Sequence, residues 1–159
     1  MQTQLSSLFK ETSSGQEADR ILRSCVHCGF CNATCPTYQL LGDELDGPRG
    51  RIYLIKNMLE SNSASRSTQL HLDRCLTCRA CETTCPSGVE YGKLADIGRA
   101  AAEEMVERPW AEKITRHLLR AILPYPKRFT PLLRIGQLLR PLMPAVLARD
   151  VPQRQAGSA

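Results

Sequence analysis

The 159-residue sequence has no apolar segment long enough to cross a membrane. Its longest apolar run, from Leu142 to Ala148, covers seven residues and is interrupted by Pro144, whereas a transmembrane helix needs roughly twenty apolar residues. Residues 1–20 also lack the unbroken apolar core of a signal peptide. We therefore expect a cytoplasmic chain whose cysteines stay in a reducing compartment, where metal binding is favoured over disulfide formation.

Aromatic residues and familiar catalytic motifs are scarce as well. Only eight residues are aromatic, so the core is expected to be mostly aliphatic. The dinucleotide-binding glycine fingerprint, the P-loop and the nucleophile elbow are all missing from the sequence, and no paired catalytic carboxylates can be identified. These absences predict a chain that has no substrate site of its own.

Charge and proline divide the chain into two parts. Residues 1–104 hold 11 Lys and Arg against 13 Asp and Glu, whereas residues 105–159 hold 10 against 3. Seven of the ten prolines lie at or after Pro109. The predicted organisation is a flexible N-terminus at 1–16, a cysteine-rich domain at 17–108, a basic, proline-interrupted helical adapter at 109–149 and a disordered tail at 150–159.

All eight cysteines belong to two copies of one motif, C-x2-C-x2-C-x3-C-P, offset by 50 residues. The first copy comprises Cys25, Cys28, Cys31 and Cys35, followed by Pro36. The second copy comprises Cys75, Cys78, Cys81 and Cys85, followed by Pro86. Four cysteines in the same register twice are a far more specific signal than an isolated C-x2-C pair.

The spacing within this motif is that of cysteines that bind a [4Fe–4S] cluster. Three cysteines within seven residues can bind three irons of one cubane, whereas the fourth lies too far along the chain to close on the same cube. In two-cluster ferredoxins the fourth cysteine binds the other cluster. The predicted first set is therefore Cys25, Cys28, Cys31 and Cys85. The predicted second set is Cys75, Cys78, Cys81 and Cys35.

Three other uses of these cysteines fit the pattern less well. Structural zinc sites usually take two C-x2-C pairs separated by a longer loop, not three closely spaced cysteines and a fourth. Disulfides are disfavoured in a reducing compartment. A C-x2-C thiol redox pair would leave two surplus cysteines in each motif. The sequence therefore predicts two [4Fe–4S] clusters and a chain that carries electrons for chemistry performed by another polypeptide.

Residues between the cysteines are expected to modify the clusters rather than to react. Gly29 allows close approach of the backbone to the first cluster. His27 is either a hydrogen-bond donor to that cluster or an exposed histidine without a role, and Arg79 is either a compensating charge or a solvated side chain. Four apolar residues are expected to exclude water, namely Val26, Phe30, Leu76 and Ala80.

Helical periodicity surrounds the motifs, and no stretch shows convincing strand alternation. One predicted helix leads into Cys25, and another begins near Pro48. A third is capped by Thr68, and a fourth ends before Pro109. Short amphipathic helices interrupted by prolines follow. The predicted fold class is mainly α.

Two segments extend the pattern well beyond the cysteines. They are CVHCGFCNATCPTYQLLGDELDGPRGRIYLIK, from Cys25 to Lys56, and LDRCLTCRACETTCPSGVEYGKLADIGR, from Leu72 to Arg99. Over roughly residues 17–150 the chain resembles the iron–sulfur subunits of bacterial glycolate oxidase, also called glycolate dehydrogenase. The spacer GDELDGPRGRIYLIK makes the resemblance specific, because a generic ferredoxin does not need it.

This resemblance implies a fold and a role. The fold is an α-helical ferredoxin domain holding two [4Fe–4S] clusters, like that of succinate dehydrogenase iron–sulfur subunits, and the eight cysteines match the family's ligands position by position. In the family, FAD-binding glycolate oxidase subunits oxidise glycolate to glyoxylate. The iron–sulfur subunit passes the electrons towards a membrane acceptor, quinone. The chain itself would be an electron-carrying subunit of an oxidoreductase complex.

Two alternatives to this role share the paired motifs. One is the iron–sulfur subunit of a lactate or anaerobic glycerol-3-phosphate dehydrogenase, and the other is a free-standing dicluster ferredoxin. The long spacer and the basic amphipathic segment favour a docked subunit over a free carrier.

The chain departs from the family after its second motif. Family members continue into further domains with Cys-Cys-Gly motifs, whereas this chain has no cysteine after Cys85, so it is expected to be a truncated form, a fragment or a split subunit. Its basic adapter is expected to dock on a partner or an absent domain. An alternative is contact with the inner face of the membrane. Nucleic-acid binding is not supported by any motif.

Overall fold

The computed structural model describes residues 1–142, 144, 149, 151 and 152. These described residues form nine α-helices joined by turns and short 3-10 helices, and none of them lies in a β-strand. The predicted mainly α class is therefore confirmed. Contacts divide the chain into two units, Met1–Glu107 and Arg108–Ala159.

The first unit contains seven α-helices within its described residues. They are α1 (Ser7–Lys10), α2 (Ser13–Ser24), α3 (Pro36–Leu41), α4 (Pro48–Ser61), α5 (Arg66–Asp73), α6 (Ala80–Thr83) and α7 (Tyr91–Met105). Two 3-10 helices, Phe30–Thr34 and Glu44–Asp46, lie between α2 and α4. The cysteine motifs occupy the turns that follow α2 and α5.

Helices α2, α4, α5 and α7 enclose the hydrophobic core of this unit, and α7 contacts the other three. The most deeply buried apolar side chains are Ile21, Leu22, Ile55, Met58, Leu59, Leu72 and Leu94, each at most 2% exposed. Each such side chain contributes roughly 1.5–3 kcal/mol when it leaves water. Tyr91 is the only fully buried aromatic residue among the described ones, so the expected aliphatic core is confirmed.

Capping residues set where these helices begin. Thr12 accepts a hydrogen bond from the amide of Gly15 at the start of α2, and Pro48 lies in the first turn of α4 as predicted. Helix α5 begins earlier than expected. Its cap is Ser65, whose hydroxyl accepts from the amide of Thr68 at 3.0 Å. The prediction of Thr68 as the cap is wrong, because Ser65 satisfies the free amides one turn earlier.

The segment expected to form a flexible N-terminus, 1–16, packs on the core of the first unit. Leu5 is buried within it, and the amide of Ser6 donates to the carbonyl of Leu59 at 3.1 Å. The ammonium group of Met1 donates to the carbonyl of Cys25 at 2.8 Å. The sequence did not predict this packing, because the segment has few apolar residues and these show no clear periodicity.

The second unit contains α8 (Trp110–Ile122) and α9 (Pro126–Leu139), followed by a 3-10 helix at Arg140–Leu142. Neither α-helix buries a single residue, so the apolar side chains of both helices are accessible. Pro131 is accommodated inside α9. The tail predicted at 150–159 lies outside the described residues, apart from Val151 and Pro152. Among the helices that the structure describes, none has the length and hydropathy needed to span a membrane.

Helices α4 and α7 approach closely at Gly98. A Cβ atom on Gly98 would lie 2.6 Å from Cγ1 of Ile55, whose side chain is completely buried. Because Ile55 has no free space to move into, we expect Gly98→Ala to lower the free energy of unfolding by about 1–3 kcal/mol. Denaturant unfolding followed by circular dichroism would measure this change.

The matched control is Gly136→Ala in α9, where a Cβ would meet no atom within 4 Å. Since alanine favours a helix over glycine by about 1 kcal/mol, this variant should be as stable as the parent or more so. An equal loss in both variants would contradict the proposed close packing at Gly98.

Candidate metal centres

The two cysteine motifs follow the same backbone course. His27 and Thr77, at matching positions, have φ angles of 61° and 56°. Two residues later, Gly29 and Arg79 have φ angles of 85° and 58°. In each copy the amide of the fourth cysteine donates to the carbonyl three residues earlier, at 3.2 Å. Because left-handed conformations are uncommon outside glycine, their recurrence at matched positions shows that the sequence repeat is also a structural repeat.

Two adjoining cavities collect the eight cysteines. The first cavity is lined by the four cysteines of the first set, Cys25, Cys28, Cys31 and Cys85, and also by Cys81. The second cavity is lined by the four cysteines of the second set, Cys35, Cys75, Cys78 and Cys81. Three residues line both cavities, namely Cys81, Pro48 and Tyr91. Apart from the shared Cys81, each cavity is lined by cysteines of both motifs in the predicted grouping.

Two thiols in these cavities resist ionisation on their own. Burial, together with the neighbouring Cys25, raises the pKa of Cys31 to about 11. Burial, together with the neighbouring Cys31, raises the pKa of Cys81 to about 12. Thiolates packed this closely require a positively charged partner, and iron in a cluster is such a partner. The donor set therefore fits an iron–sulfur centre.

A single zinc ion fits the arrangement less well. Zinc–sulfur bonds of about 2.3 Å bring tetrahedral thiolates to within about 4 Å of one another. In the described part of the chain, the side chains of Asp43, Asp46 and His71 form the only trio of potential metal ligands within 4.8 Å of one another. No cysteine belongs to that trio. The cysteines are thus spaced for a larger group than one ion.

Apolar side chains surround the mouths of the cavities but cover them incompletely. Val26 and Phe30 line the first cavity and are 67% and 64% exposed. Leu76 lines the second cavity and is 67% exposed. The expectation that these residues exclude water is therefore not supported by their exposure, and Ala80 lines neither cavity. The outer sides of the three lining side chains form an accessible apolar rim around Cys28 and Cys78, both of which are exposed.

His27 lines the first cavity. Its Nδ1 atom is buried and has no hydrogen-bond partner in the described structure. Burial lowers the pKa of His27, and the nearby Arg49 lowers it further, so the ring is neutral near pH 7. A buried ring nitrogen without a protein partner could donate a hydrogen bond to a cluster sulfur. The position of His27 therefore also fits an iron–sulfur centre.

Gly29 and Arg79 were also singled out from the sequence, and each lies where a glycine and an arginine side chain are in close contact. A Cβ on Gly29 would lie 2.5 Å from Nη1 of Arg49, so this glycine makes room for a side chain of α4 as well as for its own positive φ. Arg79 lines the second cavity. Its guanidinium packs at the start of α7, where a Cβ on Gly92 would lie 2.8 Å from Nε.

A buried polar network lies beside the second cavity, and sequence reasoning missed it. Asp46 is 0% exposed and Arg51 is 1% exposed. One carboxylate oxygen of Asp46 lies 3.3 Å from Nη2 of Arg51 and 3.0 Å from Nδ1 of His71. The other accepts from Nη1 of Arg74 at 2.8 Å. Burial alone would raise the pKa of Asp46, but the hydrogen bonds from His71 and Arg74 outweigh it and lower the pKa, so the carboxylate is ionised.

The same network reaches a cysteine of the second set. Nη1 of Arg51 donates to the hydroxyl of Thr37 at 3.1 Å and lies 4.0 Å from Sγ of Cys35. The hydroxyl of Thr37 lies 2.8 Å from the carbonyl oxygen of Asp46 and 3.2 Å from Sγ of Cys35. Nε of Arg51 donates to the carbonyl of His71 at 2.7 Å. The network therefore joins α4 and α5 to the sulfur of Cys35.

Tyr91 is a further residue whose role the sequence did not predict. Its ring forms part of the wall between the cavities, and its hydroxyl donates to Sγ of Cys75 at 3.6 Å. Burial raises the pKa of Tyr91 well above its usual value, so the hydroxyl keeps its proton. Tyr91 therefore acts as a hydrogen-bond donor to the second set.

Residues 21–89, which include both cysteine motifs, match the family of 4Fe-4S dicluster domains. The match supports iron–sulfur clusters as cofactors of this segment and an electron-transfer role.

The chain is also similar to two longer proteins. It is 59% identical over 152 residues to the glycolate oxidase iron-sulfur subunit of Escherichia coli (strain K12), which covers 96% of this chain and 37% of that protein. It is 37% identical over 115 residues to the probable glycolate oxidase iron-sulfur subunit of Bacillus subtilis (strain 168), which covers 71% of this chain and 25% of that protein. No solved structure matches the chain. These similarities confirm the resemblance seen in the sequence.

The spacer between the motifs held the one signal that could have revealed the network. Its segment from Gly42 to Arg51 carries five charged residues around three glycines and a proline, and it is the part that made the resemblance specific. In the dicluster domain this segment forms the turn that contributes Asp46 and the helix start that contributes Arg51. No comparable local signal marks Tyr91.

We expect Asp46→Asn to destabilise the dicluster domain by on the order of 3 kcal/mol, because it leaves the buried guanidinium of Arg51 without a countercharge. The midpoint of thermal unfolding, measured on anaerobically prepared protein, would report the loss. The matched control is Asp43→Asn in the same turn. Asp43 is exposed and caps the amide of Leu45, a role that asparagine fills equally well. Equal midpoints for the two variants would contradict the importance of the Asp46 network.

Proposed function

We propose that this chain is the electron-transferring part of an iron–sulfur subunit in a glycolate-oxidising flavoenzyme complex. The observation that carries the proposal is the pair of adjoining cavities, which together are lined by both predicted sets of four cysteines, with Cys81 lining both. The similarity of residues 21–89 to 4Fe-4S dicluster domains supports the cofactor. The 59% identity to a protein named as a glycolate oxidase subunit supports the complex.

In this proposal each cavity holds one [4Fe–4S] cluster. The first set, Cys25, Cys28, Cys31 and Cys85, binds one cluster, and the second set, Cys75, Cys78, Cys81 and Cys35, binds the other. When bound, the clusters supply one-electron transfer. The chain supplies the thiolates, the hydrogen bonds to the sulfurs and the shared wall of Cys81, Pro48 and Tyr91. Because both cavities touch that wall, electrons can pass from one centre to the other within this chain.

The partners in this proposal perform the chemistry on the substrate. FAD-binding glycolate oxidase subunits would oxidise glycolate and deliver electrons to the clusters, and the electrons would leave towards a quinone acceptor at the inner face of the membrane. The complex would be cytoplasmic or peripheral on that face. This chain covers 37% of its relative from Escherichia coli, so the activity of the whole subunit is part of the proposal.

The second unit offers a surface for these partners. The accessible face of α8 carries apolar side chains such as Ile114 and Leu118, which are about half exposed, and basic residues such as Lys113 and Arg120 flank them. We propose that this face docks on another polypeptide of the complex. The alternative is an anionic membrane surface, since basic amphipathic helices also bind there.

The ligand sets can be tested by counting iron. Anaerobic reconstitution of the parent chain should give about eight irons and eight sulfides. The double variant Cys28→Ala with Cys85→Ala should retain about four irons, because both residues are assigned to one cluster. The double variant Cys28→Ala with Cys35→Ala should retain almost none, because it damages both clusters.

The two double variants control for each other, since each removes two cysteines. The reverse pattern would show that each motif binds its own cluster and would overturn the interleaved sets. A colourless, zinc-loaded parent chain would overturn the proposed cofactor.

Docking through α8 can be tested by affinity purification of the tagged chain from its own cells. We expect a yellow flavoprotein to co-purify, and we expect Leu118→Glu to lose it while keeping its iron. The control is Arg116→Glu on the opposite face of the same helix, which should retain the flavoprotein. If no flavoprotein co-purifies, a free-standing ferredoxin would be indicated. If the flavoprotein oxidises lactate or glycerol-3-phosphate instead, a subunit of that dehydrogenase would be indicated. Flotation of the purified chain with anionic liposomes at low salt would instead favour the membrane alternative.

A further inference from the structure

The two cavities differ in the groups that reach their sulfurs. Backbone amides donate in both: the amide of Val89 donates to Cys85 and that of Thr77 donates to Cys75, each at 3.5 Å. Side-chain donors are distributed unequally. Arg51 approaches Cys35, and the hydroxyl of Tyr91 donates to Cys75, and both of these cysteines belong to the second set.

The hydroxyl of Thr37 stands between Arg51 and the sulfur of Cys35. It accepts from Arg51 and lies within reach of both the carbonyl of Asp46 and Cys35. In the repeat, the residue at the position of Thr37 is Ser87, which lines the first cavity. A residue of the same type is therefore present in both copies, and what distinguishes the second cavity is the buried guanidinium behind it.

Positive charge exceeds negative charge in the network beside the second cavity, and one of the two guanidiniums, that of Arg51, is buried, whereas the side chain of Arg74 is 43% exposed. Asp46 is paired with two guanidiniums, those of Arg51 and Arg74. One carboxylate can neutralise only one of them. Because Arg51 is 1% exposed, water and salt screen its charge poorly.

The charges near the first cavity are more exposed to water. Arg49 is the guanidinium beside Cys31, and its side chain is 36% exposed and paired with Glu44 at 2.5 Å. The ammonium of Met1 lies at the carbonyl of Cys25 rather than at its sulfur, and Nδ1 of His27 forms no hydrogen bond to a cysteine sulfur. These groups stabilise added negative charge less strongly than a buried, unscreened guanidinium does.

We propose that Arg51 and Tyr91 tune the two centres apart, so that the cluster held by the second set has the more positive reduction potential. Positive charge and hydrogen bonds to sulfur stabilise the reduced, more negative state of a cluster and so raise its potential. The inference rests on the proposed function, because it requires the two clusters and their ligand sets. It makes the second centre the one on which an electron rests within this chain.

The test is potentiometry of the reconstituted full chain, with reduction followed by electron paramagnetic resonance. The parent should show two one-electron steps. Tyr91→Phe removes the hydroxyl but keeps the ring, so the more positive step should move to a more negative potential while the other step stays in place. The control is Tyr53→Phe. Tyr53 lies on α4 with its ring 5.9 Å from that of His27, and its loss should move neither step.

Arg51→Met should move the same step further than Tyr91→Phe does, because it removes a charge as well as a donor. If this variant fails to fold, Tyr91→Phe still decides the question. Cys78→Ala, in the second set, should abolish the more positive step, whereas Cys28→Ala should abolish the more negative one.

Several results would overturn this inference without affecting the proposed function. With full iron content, they are no shift in Tyr91→Phe or an equal shift of both steps. Loss of the more positive step in Cys28→Ala, with the irons of one cluster retained, would also overturn it. A chain that binds no iron, or that shows the wrong pattern in the cysteine double variants, would overturn the proposed function as well.

Discussion

The carboxylate of Asp46 is completely buried and bonded to Arg51, His71 and Arg74. Asp46 lies 11 residues after Cys35, and Arg74 directly precedes Cys75, so this one group ties the two cysteine motifs together. A buried carboxylate is tolerated only while its partners stay in place. The cavities therefore depend on an interaction made by the spacer rather than by the motifs themselves.

The cysteines and the network solve a common electrostatic problem. Burial raises the pKa of Cys31 and Cys81, and clustered thiolates need positive charge close by. Iron supplies most of that charge, and buried Arg51 supplies more at the second cavity. The guanidinium that holds Asp46 in place thus also faces the cofactor, which links the stability of the fold to the redox properties of the site.

The first and second units differ in how they use apolar residues. In the first unit, α7 packs against α2, α4 and α5 and buries its apolar face. In the second unit, α8 and α9 bury nothing. Monomeric proteins rarely leave large apolar faces in water, so an accessible face of this kind is expected to be covered in a larger assembly.

By itself the sequence determined the class of cofactor and the helical class of the fold, because these follow from local spacing and periodicity, and it predicted the two ligand sets. Helix starts depended on competing caps, and Ser65 rather than Thr68 began α5. Only the tertiary structure decided which side chains reach the sulfurs. Arg51 is 16 residues from Cys35 and Tyr91 is 16 residues from Cys75, and such contacts depend on how helices pack. Burial, not residue type, distinguishes Arg51, which is 1% exposed, from its neighbour Arg49, which is 36% exposed.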